Sequence, residues 1–492
     1  MTLYHFKSDL LIWALFDAYE STRSIGYSFE TALADIIDNS LAKKANKIDV
    51  YFNSIDSPFV MVIDNGVGMN LEELTDAMRY GSKSSLEERD RNDLGRFGLG
   101  LKTASLSQCR KLTVFSKKNN MISGATWDID YIIQKNDWSL ITYTNDECSK
   151  FEHCKMLNKF ESGTIVLWQN FDRLEESTIY FQKTFDTKIE SARQHISLVF
   201  HRFLNDENPQ NRVHIFFNNE VVEAIDPFLI NNPATQPLAE QTITFNNEII
   251  KVKPYILPYI SKLTAKDKRQ LGDLSDMRKN QGFYVYRNKR LIVWGTWFKL
   301  IKSHELNKLT RVRVDIPNSL DSIWNIDIKK SSAQLPDSIK DRLKSIVENA
   351  VGKSERVYKY RGRNISSDNL IHVWDVIDDR GKYKYKINKD IPLYKELVEK
   401  LDLQGERYLD SFIEMLENSF PFEDIYYRMG KNEVQVDDND FEKAYSVALD
   451  MIEVAKGQNI DIKNFLKTLE CHDYFLKHKD VLERIKREYS DE

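Results

Sequence analysis

The sequence predicts an α+β protein of several domains, and three observations carry that reading. First, short apolar runs of strand length alternate with segments whose apolar residues recur every three to four positions, the periods of sheet and helix. Val60–Ile63 and Ile165–Trp168 are of the first kind; the stretches around Asp35–Leu41 and Phe181–Phe203 are of the second. Second, the polar break "NDENPQNR" interrupts this pattern and places a boundary near residue 208. Third, strands and helices alternate again to about residue 350, whereas the chain from "IPLYKELVEKL" onward reads as mainly helical. A length of 492 residues accommodates two to four domains. The regions expected are 1–208, 209–352 and 353–492.

Composition removes several function classes. Hydrophobic content of 41% with 29% charged residues describes a water-soluble globular chain. No run approaches the roughly 20 apolar residues of a membrane span. The start, "MTLYHFKSDLLIWALFDAYE", lacks the basic, apolar and small-residue succession of a signal peptide, so a cytoplasmic location without membrane contact is expected. The four cysteines form no CxxC pair, and the spacing in "CSKFEHC" (Cys148, His153, Cys154) fits no common zinc site. Net charge is −5, so any nucleic-acid contact must come from local basic patches.

The first element of interest is the helix in "ADIIDNSLA". Leu33, Ile36, Ile37 and Leu41 are apolar, yet Asp35, Asp38 and Asn39 lie among them, and Asp35 and Asn39 share one helix face. That face is either wet or holds something charged. The strand Val60–Ile63 then runs into Asp64-Asn65-Gly66-Val67-Gly68, a turn whose glycines allow close backbone approach and whose carboxylate can accept from an amine. The segment equally reads as a plain turn into the helix near Asn70. Next, Gly95, Gly98 and Gly100 precede a helix expected over Leu101–Ser107, where exposed N–H groups and Lys102 suit an anion. The Walker spacing is absent. Finally, Gly163-Thr164 opens the strand Ile165–Trp168, where a threonine is by itself a good β-former.

An acid/Asn helix, a DxGxG turn, a GxxGxGxK loop and a Gly-Thr strand, in this order, resemble the GHKL superfamily of gyrase, heat-shock chaperone, histidine kinase and MutL ATPases. The phrases "ALADIIDNS", "GRFGLGLK" and "GFYVYRNKRLIV" look most similar to MORC-like and MutL-like ATPases, including bacterial ones of restriction–modification or phage-defence systems. The resemblance covers roughly residues 1–350. It implies a Bergerat-type α/β sandwich that binds ATP and Mg²⁺, then an α/β transducer domain, then a mainly helical C-terminal region. It further implies Asn39 as the Mg²⁺ ligand through ATP, and Asp35 as the catalytic base. The family has glutamate at the base position; the shorter aspartate implies slow hydrolysis or a contribution from Asp38. Asp64 matches the adenine-reading aspartate, with Gly66, Gly68 and Met69 beside it and Thr164 supporting it. Gly95, Phe97, Gly98, Leu99, Gly100, Leu101 and Lys102 match the phosphate-cradling end of an ATP lid, "RYGSKSSLEERDRND" being the lid itself. Lys329 or Lys330 is the candidate for the transducer lysine that reaches the γ-phosphate. Residues before Tyr27 are expected to form a strap to a second subunit.

Beyond the site, "GFYVYRNKRLIVW" reads as strand, turn and strand, "RVRVDIP" alternates as a strand, and an amphipathic helix starts near Asp337. His195 and His201 are expected to pack rather than to catalyse. Lys340, Arg342, Lys344, Lys353, Arg356, Lys359, Arg361 and Arg363 form a basic run, and "RVYKYRGR" interleaves aromatics with cations as nucleic-acid surfaces do. A hairpin is expected in "HVWDVIDDRGKYKYKIN", with Lys382, Lys384 and Lys386 on one face. The leading reading is an ATP-gated homodimeric clamp on double-stranded DNA, with a nuclease or methyltransferase as partner. The alternatives are a chaperone-like ATPase acting on protein and a nucleotide-binding structural subunit with little turnover. A sensor kinase fits poorly, because such kinases carry phosphoacceptor helices ahead of the ATPase domain.

Overall fold

The computed structural model describes residues 2–5, 27–79, 100–175, 180–259, 262–320 apart from 273 and 302–306, 339–350 apart from 349, and 371–489 apart from 380–381, 423, 426–427, 429–440 and 459. The chain divides into two compact units, Met1–Ser354 and Glu355–Glu492.

The first unit opens with a sheet built from β1 (Thr2–His5), β2 (Lys47–Asn53), β3 (Phe59–Asp64), β4 (Lys111–Lys118), β5 (Met121–Asp128), β6 (Ser139–Tyr143), β7 (Gly163–Gln169), β8 (His214–Phe217) and β9 (Glu220–Val221). Their order across the sheet is β1-β6-β5-β4-β7-β3-β2-β8-β9. Only the β2–β8 pair is parallel. Alternation in the strand sequences decides what each face meets. Val60, Val62, Leu112, Val114, Val166 and Trp168 point to one core. Met61, Ile63, Phe115, Ile165 and Leu167 point to another, which also takes in Cys148 and Cys154. Helices that cover the first core include α1 (Phe29–Ala42), α3 (Gly100–Gln108) and α4 (Phe181–Val199). A further helix, α2 (Leu71–Met78), joins β3 to the segment leading into α3 and is tied to β5, since Trp127 Nε1 donates to the Met78 carbonyl at 2.9 Å.

The sheet continues past the polar break near residue 208. The break leaves β2 an edge that β8 fills, with Ile48 opposite Ile215 and Val50 opposite Phe217. Asn218 extends this ladder with its side chain, accepting from Phe52 N–H at 3.1 Å and donating to Phe52 O at 3.2 Å. Of the expected strap, residues 6–26 lie outside the described residues; residues 2–5 pair with β6 of the same chain.

A second sheet follows within the same unit: β10 (Gln236–Pro237), β11 (Gln241–Phe245), β12 (Glu248–Ile256), β13 (Gly282–Arg287), β14 (Arg290–Thr296) and β15 (Thr310–Ile316). The order is β10-β12-β15-β13-β14, with β11 also on β12 and β13 parallel to β15. Along β13, Phe283 and Val285 face a core shared with Leu343 and Val347 of the helical stretch 339–348. Tyr284 and Tyr286 face the other way, against Phe228, Tyr255 and Leu198 of α4. His201 Nε2 bonds Tyr286 Oη at 2.7 Å, and the His195 ring lies 5.7 Å from that of Trp294. Burial pushes both imidazoles down, to about 3 for His201 and about 4 for His195. They are neutral packing groups between the two sheets.

The second unit has its own hairpin, β16 (Trp374–Asp379) with β17 (Lys382–Ile387), and helices at Pro392–Lys400, Leu403–Asn418, Phe441–Gly457, Ile462–Glu470 and Lys479–Glu488. The last three close a core around Ala448, Ile452, Phe465, Leu469 and Ile485. Among the described residues no helix is long and apolar enough to cross a membrane.

Candidate functional site

The site is built on α1 and on the ends of β3 and β7. Ser28 caps α1, accepting from Thr31 N–H at 3.3 Å, and Ile36, Ile37 and the partly buried Leu41 hold the helix to the sheet. The remaining face carries Asp35, Asp38, Asn39 and Ser40, and the two acids and the serine are buried. The Asn39 amide nitrogen is shielded from solvent and has no hydrogen-bond partner among the described residues. A shielded amide N–H without a partner is costly unless an acceptor meets it, so this position suits an anionic oxygen such as that of a phosphate.

Asp64 ends β3 directly opposite Thr164 of β7. Its carboxylate accepts from Ser40 Oγ at 2.8 Å and from Gly66 N–H at 2.8 Å. Burial pushes the carboxyl up, opposed by these bonds and by one from the Thr164 backbone. Thr164 supports the corner in a second way: its hydroxyl bonds Ser116 Oγ at 2.9 Å, and Ser116 Oγ donates to Gly163 O at 3.1 Å while accepting from Met69 N–H at 2.8 Å. Gly68 has φ +66°, and a Cβ there would lie 1.9 Å from the Lys117 carbonyl oxygen of β4. Only glycine permits so close a strand approach.

The α3 helix begins at Gly100, where a Cβ would meet nothing within 4 Å. Leu101 packs against the first core. Lys102 belongs to the phosphate-cradling set that the resemblance implies. It is fully buried, and its ammonium donates to the carbonyls of Ala77 at 3.0 Å and Arg79 at 2.6 Å. Those are carbonyls at the end of α2 that the helix itself leaves unbonded. Burial pulls this ammonium down to about 8. Gly95, Phe97, Gly98, Leu99, Lys329 and Lys330 lie outside the described residues.

Asp35 is engaged from two sides. Tyr27 Oη donates to its Oδ2 at 3.2 Å, and Arg290 Nη2 lies 3.8 Å from Oδ1. Burial, and then the Asp35 charge, push the Tyr27 phenol well above its ordinary value. Asp38 is held by Arg290, whose Nε donates to Oδ2 at 2.6 Å. The structure thus gathers Asp35, Asn39, Asp64, Gly66, Gly68, Met69 and Thr164 around one corner of the sandwich. Sequence reasoning missed Ser40, Ser116, Tyr27 and Arg290, although Ser40 and Arg290 stood inside quoted motifs. Among the described residues no group of three or more His, Cys, Asp or Glu could hold a metal ion.

Residues 27–164 match a family model described as "Histidine kinase-, DNA gyrase B-, and HSP90-like ATPase". The chain is 33% identical over 110 residues to the mouse ATPase MORC2B, which covers 21% of this chain and 11% of that protein. It is 29% identical over 94 residues to the Caenorhabditis elegans ATPase morc-1, covering 19% and 11%. It is 27% identical over 96 residues to human ATPase MORC2, covering 19% and 9%. The match therefore spans about a tenth of the length of these curated relatives. A solved structure titled as the N-terminal domain of a DNA repair protein aligns with TM-score 0.45 and 17% identity, over 69% of this chain and 99% of that one.

Proposed function

We propose, from the premise that residues 27–164 are a domain of the histidine kinase-, DNA gyrase B- and HSP90-like ATPase family, that the protein binds Mg-ATP and hydrolyses it to ADP and phosphate. The observation that carries this reading is the solvent-shielded Asn39 amide without a partner, one helical turn from buried Asp35 and beside the Asp64 corner. Asp64 would accept from the adenine amine, its other bonds fixing the carboxylate against rotation. Asn39 would hold Mg²⁺ together with the phosphates, and the ion, when bound, would neutralise phosphate charge. Asp35 would take the proton from the attacking water as the new bond to the γ-phosphorus forms and the bond to the ADP oxygen breaks. Lys102 would bind phosphate after leaving the α2 carbonyls, and Lys329 or Lys330 would come from the second domain.

The same reading extends to an ATP-gated dimer that holds double-stranded DNA. Lys340, Arg342 and Lys344 lie on the helical stretch 339–348, with Arg342 and Lys344 on its exposed side. A bacterial restriction–modification or phage-defence setting, with a nuclease or methyltransferase as partner, belongs to this extension. A second reading is a nucleotide-binding subunit with little turnover. It draws on Asp35, a short acid already engaged by Tyr27. Hydrolysis by the full chain with and without duplex DNA, beside Asn39→Ala, separates these. Turnover that rises with DNA and vanishes in the variant supports the clamp. Tight Mg-ATP binding without turnover supports the second reading, and absence of both refutes the ATPase.

A further inference from the structure

Arg290 sits where two sheets meet. The hairpin β13–β14 turns at Asn288 and Lys289, with φ of +47° and +69°, the left-handed pair that a tight two-residue hairpin turn requires. The turn is pinned on both sides: Lys289 pairs with Asp206, and Asn288 Nδ2 donates to Asn318 Oδ1 at 3.0 Å. Arg290 follows immediately and is 5% exposed. Its Nη1 donates to Leu291 O at 3.0 Å, the Phe200 ring lies 5.4 Å from its Cζ, and Nε donates to Asp38 Oδ2 at 2.6 Å. Nη2 stands 3.8 Å from Asp35 Oδ1, within ion-pair range but too far for a hydrogen bond.

Two carboxylates three residues apart on one helix, both buried, need a buried counter-charge. The second sheet supplies it. Asp38 takes the direct hydrogen bond from Arg290, whereas Arg290 reaches Asp35 only across 3.8 Å, so it steadies the charge of that acid without a hydrogen bond to Oδ1. An aspartate base has less reach than a glutamate, so its performance depends more on a fixed backbone.

We propose that Arg290 is a positioning residue for the base Asp35, and that Asp38 is the anchor for Arg290 rather than a second base. The second sheet thereby holds the catalytic helix of the first. This inference rests on the reading of Asp35 as the base of ATP hydrolysis, and the test is arranged to tell the two failures apart.

The full chain is compared with Arg290→Met, Arg290→Lys, Asp38→Asn and the double variant Arg290→Met/Asp38→Asn. Titration with Mg-ATP gives affinity, steady-state turnover gives kcat, and Asp35→Asn is the control. The expected result is a fall in kcat of about 30-fold or more in Arg290→Met, with affinity within about threefold and partial recovery in Arg290→Lys. The double variant should be no worse than Arg290→Met, since both act through one pair. If Arg290→Met fails to fold, Arg290→Lys and Asp38→Asn carry the same comparison: kcat should fall and affinity hold. Equal losses of kcat and affinity would show a merely structural role and overturn the proposal. So would unchanged kcat in Arg290→Met while Asp35→Asn is dead, and that outcome leaves the ATPase standing. A wild-type chain that neither binds nor hydrolyses ATP removes the ATPase and this inference together.

Discussion

Two buried carboxylate corners both draw on helix α1 and are built in opposite ways. The Asp64 corner is local. Its donors, Ser40, Gly66 and the Thr164 backbone, all belong to the first sheet and its leading helix. The Asp35–Asp38 corner is not: its cation is Arg290, 252 residues from Asp38 and on a different sheet. A self-contained corner suits recognition, because its shape is fixed once the domain has folded. A corner completed by another sheet suits chemistry that must answer to that sheet's position. The contrast predicts that nucleotide affinity depends on the first sheet and its helices alone, whereas turnover depends on both sheets.

The largest expected effect tests that split directly. Asp35→Asn should lower turnover by about 10²–10⁴-fold while Mg-ATP affinity is kept, as removal of a general base does. Asp64→Asn should do the reverse, weakening affinity by tenfold or more (about 1.4 kcal/mol per decade) with little change in kcat at saturation. Calorimetric binding and a phosphate-release assay read both. Undiminished hydrolysis in Asp35→Asn would break the assignment of the base.

A smaller effect concerns another buried cation, Lys102, which is given carbonyls where Arg290 is given carboxylates. Burial pulls its ammonium from the ordinary 10.5 to about 8. Between those values the unfolded chain holds a proton that the folded chain has released, so stability rises with pH across that window. Below pH 8 both states are protonated and the burial cost is present in full. The rise is at most about 3 kcal/mol. Denaturant midpoints of wild type and Lys102→Met from pH 7.5 to 10.5 should converge or cross as the wild type gains. A constant difference would mean the ammonium stays charged on the Ala77 and Arg79 carbonyls. Because Lys102 is held by α2 carbonyls and Arg290 by α1 carboxylates, this difference should be unchanged in an Arg290→Lys background.

The local corner is also the part that the sequence makes legible. "VIDNGVG" shows a strand, an acid and a turn because each is written in neighbouring residues, and the register that puts Asp64 beside Thr164 follows from two alternating strands. What joins distant segments is not written that way. Ser116 is one more polar residue in β4 until β7 pairs beside it, and Ser40 is one more helix residue until β3 ends under it. Strand β8 lies beyond a polar break that looks like a domain end, yet it completes the first sheet in parallel with β2, a pairing that no local pattern announces. Arg290 stands in the quoted phrase "YRNKRLIV", but nothing in that phrase says its side chain crosses to α1. The hold on Lys102 is hidden for a related reason: the α2 carbonyls that accept from it come from another element.

The smallest effect sharpens the contrast most. Ser116 is fully buried, and its hydroxyl joins Thr164, Gly163 and Met69 across β4, β7 and the turn after β3. Ser116→Ala removes a small polar group without opening a large cavity, and it leaves the Met69 N–H without its acceptor. The cost should be about 1–2 kcal/mol of stability, the range for a buried donor left unsatisfied. Because Met69 follows the Gly66–Gly68 turn directly, Mg-ATP affinity should weaken severalfold. Turnover at saturating ATP should stay near wild type, since nothing in this network touches Asp35, Asp38 or Arg290. A fall in saturating kcat comparable to that of Arg290→Met would mean that the two corners move together, and the division of recognition from chemistry would not hold.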